Sequence, residues 1–135
     1  MNLRDLAQNE RIAYLETLKD LVRLESPTHD KAANDKVADY LENLLKNDAW
    51  AVERLSQTGV GDQIVARQDA PGDTSTLILC HFDTVWETGT LESMPLREEN
   101  DKLYGPGVLD MKAGITTAIY ALKIIKKKKL TLKGP

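Results

Sequence analysis

Apolar residues recur at helical spacing near the start of the chain. Ile12, Leu15, Leu18 and Val22 share a stripe, with Glu16, Lys19 and Arg23 on other faces, and this predicts a helix over Leu3–Glu25. Ser26-Pro27 ends it, because the residue before proline avoids helical geometry. A second helix starts near Thr28 or Asp30, either of which can cap it, and runs to about Asn47 on Ala33, Val37, Tyr40, Leu41 and Leu44. Alternation then predicts a strand over Trp50–Ser56, a turn at Gly59-Val60-Gly61-Asp62 and a strand over Gln63–Arg67, together a hairpin. Pro71-Gly72 marks another turn, and Ser75–Cys80 reads as a short buried strand. Leu77–Cys80 is apolar on both faces, which predicts a place at the centre of a sheet. Trp86 to Asn100 is polar and irregular, and Leu103-Tyr104-Gly105 restores order briefly. A last helix runs from Asp110 or Met111 to about Lys128, with Ile115, Ala118, Ile119, Leu122 and Ile125 inside. The order of elements predicts an α/β fold without internal repeats or an internal domain boundary.

Composition narrows the classes. A hydrophobic fraction of 41% and a charged fraction of 29% over 135 residues are those of one globular domain with a core. Aromatics are sparse at 5%, so that core is mostly aliphatic. The net charge of -3 gives no electrostatic case for nucleic acid, and no apolar run reaches membrane length. One cysteine excludes an internal disulfide, and Met1–Leu6 carries charges where a signal peptide needs apolar residues; a cytoplasmic protein is the expectation.

The chemistry concentrates between Cys80 and Gly114. His81 and Asp83 lie where the strand runs out into a loop, and residues two apart in extended chain share a side. Asp83 can then accept one ring N–H of His81, fixing the tautomer and freeing the other nitrogen for a metal. Asp110 stands between the Gly105-Pro106-Gly107 turn and an apolar helix, where the helix dipole favours a carboxylate that can hold a cation. Gly105-Pro106-Gly107 lacks the Gly-Lys-Ser/Thr ending of a phosphate loop.

The pair of motifs, His81-Phe82-Asp83-Thr84-Val85 and Gly105-Pro106-Gly107 before Asp110-Met111-Lys112-Ala113-Gly114, resembles the first two motifs of the M20 metallopeptidase family, in the form of its glutamate-carboxypeptidase branch. The resemblance implies the N-terminal part of a zinc-peptidase-type three-layer fold, with helices packed on a mixed sheet. It also implies a cis peptide bond after Asp110. It further implies hydrolysis of a peptide or N-acyl amide bond at a C-terminal, glutamate-like residue, driven by two zinc ions about 3.5–4 Å apart. In these terms His81 is a ligand of one ion, Asp110 is the bridging carboxylate, and Asp83 is the catalytic residue that orients His81. The family's general base, remaining ligands and dimerisation domain are expected beyond Pro135. The 135 residues alone are then expected to bind zinc weakly or not at all, to be inactive, and to self-associate through an incomplete sheet. The competing reading is a non-catalytic short form that binds a metal or a partner.

Other candidates have plainer readings. Cys80 points opposite to His81 and is expected to be a buried, inert thiol. His29 reads as a solvated turn residue, and Lys126–Lys129 as the solvated end of a helix, where cations complement the dipole.

Overall fold

The computed structural model describes residues 2–68 and 76–129. The Pro71-Gly72 turn, the first residue of the Ser75–Cys80 segment and the Leu130–Pro135 tail lie outside them. Helix α1 (Leu3–Arg23) opens with a capping box: Asn2 Oδ1 accepts from the Asp5 amide, and the Asp5 carboxylate accepts from the Asn2 amide. Its buried face is Leu6, Thr17, Leu18, Leu21 and Val22. Ile12, expected on that stripe, is 78% exposed. The face is rotated because Thr17, rather than an aliphatic residue, meets Tyr120, their hydroxyls 2.9 Å apart.

Helix α2 (Lys31–Asn47) is capped by Asp30, whose carboxylate accepts from the Ala33 amide at 2.9 Å. Strands β1 (Ala51–Leu55) and β2 (Gln63–Arg67) form the expected antiparallel hairpin, with Val52 opposite Ala66 and Arg54 opposite Ile64. The hairpin lies on α2 and is fastened by charge. The Arg54 guanidinium turns inward to Asp62 at 2.8 Å and to Asp39, and Lys31 reaches the same Asp62 carboxylate at 2.6 Å.

The stretch read as irregular holds more order than its polarity suggests. It contains a one-turn helix α3 (Thr90–Ser93) and strand β3 (Arg97–Glu99), paired antiparallel with β4 (Lys102–Tyr104). Asn100 and Asp101 form the two-residue loop, both at positive φ (51° and 59°), a conformation these residue types tolerate. Helix α4 (Ala113–Lys127) begins three residues after Asp110, behind a wide turn over Val108–Lys112 in which Asp110 and Met111 are not helical. The Asp110–Met111 peptide bond is cis, as the family resemblance implied.

The core joins α1, α2 and α4 through Leu21, Val37, Leu41, Leu45, Ile115, Ile119 and Tyr120, with Val52, Ile64 and Phe82 packed against it. Mixed helix and sheet are present as an α/β fold requires, but the expected central strand is not. Residues 76–83 belong to no ladder, and Leu77 and Leu79 are 87% and 85% exposed. A strand exists only where another backbone accepts and donates alongside it. Among the described residues no segment does so for 77–80. Cys80 is consequently exposed rather than buried, although desolvation still raises the pKa of its thiol.

Candidate metal centre

The 76–83 segment acquires a defined position at its C-terminal end, against the corner that follows α1. The Thr84 amide donates to Ser26 O at 2.7 Å and the Thr28 amide donates to Thr84 O at 3.0 Å, forming one parallel bridge. The Ser26 hydroxyl donates to Phe82 O at 2.7 Å. The same corner is tied from beneath by Asn34, whose amide nitrogen donates to Pro27 O at 2.7 Å. Glu25 extends the arrangement by accepting from the amides of Gly89 and Leu91 at 2.8 and 2.9 Å.

From this base His81 projects between two carboxylates. Its Nδ1 lies 3.1 Å from the Asp83 carbonyl oxygen and 3.3 Å from Asp83 Oδ1, and its Nε2 lies 3.1 Å from Asp110 Oδ1. The structure thus brings together all three residues singled out in the sequence. Burial works to lower the His81 pKa, but the hydrogen bonds to Asp83 and Asp110, reinforced by their charges, outweigh it and raise the pKa above its usual value. The geometry explains the direction. A neutral imidazole has one N–H for acceptors on both sides, whereas the imidazolium satisfies both.

A cation at Nε2 would take the place of that proton, and the donor set fits two positions of such a site. Nitrogen and oxygen ligands about 2.0–2.1 Å from a tetrahedral zinc ion stand roughly 3.3 Å apart, close to the His81–Asp110 separation. Asp110 is open to solvent, its side chain 85% exposed, as the site of a further ligand requires. Among the described residues no cluster of three His, Cys, Asp or Glu side chains is arranged as a complete metal site. The three residues border a cleft of about 310 Å³ that Trp86, Val108 and Leu109 also line.

Two further parts of this region escaped the sequence reading. Lys112 is buried with 1% exposure, and its ammonium donates to Leu21 O and Leu24 O at 2.9 and 2.7 Å. It thereby caps the C-terminal end of α1 and ties the Asp110 turn to it. Burial lowers its pKa to about 8, opposed by the charge of Glu25. The Thr28 hydroxyl donates to Asp83 Oδ2 at 2.7 Å. Neither role has a local signature, since each joins residues far apart in the chain. Asp110 itself caps no helix, and His29 meets Glu87 at 3.4 Å on the surface as an ordinary turn residue. Lys126 and Lys127 are engaged at the helix end, with Asp48 O and Glu10 at 2.8 Å each.

Residues 77–135 match the profile of peptidase family M20/M25/M40. Over 123 residues, 90% of this chain, the sequence is 37% identical to Carboxypeptidase G2 of Pseudomonas sp. (strain RS-16). It is 35% identical over 79 residues, 58% of the chain, to a provisionally named succinyl-diaminopimelate desuccinylase of Mycobacterium tuberculosis (strain ATCC 25618 / H37Rv). It is 29% identical over 136 aligned positions, 92% of the chain, to a provisionally named dipeptidase of Staphylococcus saprophyticus. The chain spans 30% of the length of the first of these relatives, 21% of the second and 28% of the third. The family profile over residues 77–135 and the likeness to Carboxypeptidase G2 across nine-tenths of the sequence place this chain in peptidase family M20/M25/M40, among its carboxypeptidase-like members.

Proposed function

We propose that this chain is the N-terminal portion of the catalytic domain of a zinc-dependent carboxypeptidase or amidohydrolase of that family. In this reading His81 Nε2 and Asp110 are metal ligands, and Asp83 is the residue that orients His81. The observation that carries it is the placement of His81 Nε2 3.1 Å from Asp110 Oδ1 with the Asp83 carboxylate at the opposite ring nitrogen. Zinc held there would supply an activated water and a sink for charge on the substrate carbonyl oxygen. The protein's own contribution is positional. Asp83 holds the Nδ1–H tautomer so that Nε2 presents a lone pair, and the cleft beside Trp86 admits a small peptide or N-acyl amino acid with a C-terminal, glutamate-like residue. Among the described residues no glutamate borders the cleft where a general base must act, so the 135-residue chain is inactive alone in this reading.

Calorimetric titration with zinc tests the assignment. The wild-type chain should bind weakly, His81→Ala and Asp110→Asn should each abolish binding, and Asp83→Asn should weaken it about 10–100-fold. Binding unaffected by His81→Ala would remove His81 from the ligand set. Turnover of an N-acyl-glutamate that disappears in His81→Ala would show the chain to be catalytically sufficient.

The unpaired 77–80 segment supports a second element of the reading, self-association. Its backbone groups and the exposed Leu77 and Leu79 are self-complementary with the same segment of a second copy, as an isologous strand pair requires.

A further inference from the structure

The Thr28 hydroxyl is placed for more than a turn. It lies 2.7 Å from Asp83 Oδ2 and 3.2 Å from Thr84 O. It carries one proton, and the carboxylate is both the nearer and the stronger acceptor. With Oδ2 occupied in this way, Asp83 Oδ1 is the carboxylate oxygen turned to His81 Nδ1, at 3.3 Å, beside the Asp83 carbonyl oxygen at 3.1 Å. Thr28 cannot drift from this position. Its amide donates to Thr84 O, Ser26 on its N-terminal side grips Phe82 O and the Thr84 amide, and Pro27 O is held by the buried Asn34. A carboxylate fastened by one oxygen loses the rotation about its Cβ–Cγ bond that would turn the other away from the ring.

We infer that Thr28 is a positioning residue of the proposed metal centre, fixing through Asp83 which ring nitrogen of His81 carries the proton. The inference deepens the reading given above, but its first test needs no metal. In wild-type protein above the His81 pKa, the ring ¹⁵N shifts should report the Nδ1–H tautomer as the major form. Thr28→Val, which keeps the volume and removes the donor, should move those shifts toward the Nε2–H tautomer, where Asp110 is the acceptor. Thr28→Ser should restore the wild-type pattern. Should the valine variant fail to fold, Thr28→Ala also lacks the donor and is read in the same way.

A second arm reads zinc affinity, which Thr28→Val should lower about tenfold and Thr28→Ser should leave near wild type. Unchanged ring shifts in folded Thr28→Val would overturn the inference, as would equal shifts in the valine and serine variants, which would make the effect one of shape. If the tautomer responds as expected while His81→Ala leaves zinc binding intact, the positioning role stands and the metal assignment falls.

Discussion

Single residues carry unusual weight here because several polar groups are shared by segments distant in sequence. Asp62 accepts from Lys31, from the Gln57 amide and from Arg54, and these interactions hold its carboxyl well below the usual carboxylate pKa. A folded-state pKa below the unfolded value contributes stability that is present above the unfolded pKa and lost as pH falls through the folded one. Thermal melts should therefore show a falling Tm from about pH 4 downward. Asp62→Asn should lower Tm at pH 6 and flatten that acid limb; a parallel limb in the variant would assign it to other carboxylates. Lys112 makes a different case. Replacing it with Met keeps the aliphatic fill but leaves Leu21 O and Leu24 O without their donor, so urea unfolding should show a loss of about 1–3 kcal/mol. The sequence displayed His81, Asp83 and Asp110 because their spacing is a motif. Lys112 and Thr28 were hidden because a buried lysine and a turn threonine acquire meaning only from partners 91 and 55 residues away.

The elements followed their local signals where those signals were self-contained. Asp30 capped α2, the apolar stripe set its buried face, and the β1–β2 hairpin formed with β2 at the expected residues. The misreadings occurred where another segment decides. Leu77–Cys80 has the composition of a central strand but no ladder partner among the described residues, and β3 was obscured by its charged sequence, Arg97-Glu98-Glu99. The Asn100-Asp101 pair was the available sign of that second hairpin. The turn that carries Asp110 depends on a glycine. Gly107 sits at φ +71°, and a Cβ there would come 2.6 Å from Cγ2 of the buried Thr84. Gly107→Ala should thus combine a left-handed backbone cost of about 1–2 kcal/mol with displacement of Thr84. Its Tm should fall, and the His81 ring resonances should shift; a variant with unchanged Tm would mean that the turn tolerates the rearrangement.

At the scale of the molecule, three helices enclose the aliphatic core while Leu77, Leu79, Val85 and Leu109 remain at the surface. Sedimentation velocity over a concentration series should show a growing dimer fraction, and Leu79→Lys should return the protein to monomer. A single monomer boundary at high concentration would remove self-association from the proposal. The bridge between Pro27 and Thr84 has another consequence, in the order of assembly. The helices can form from neighbours, whereas Thr28 and Thr84, 56 positions apart, meet only after the chain between them has closed into a loop. Loop closure of this kind carries an entropic cost that short-range contacts avoid. The His81–Asp83 geometry is therefore expected to form late in folding. Native-state hydrogen exchange should accordingly find the Thr28 and Thr84 amides opening at a lower free energy than the amides of the helical core; equal protection would join this corner to the core in one cooperative unit.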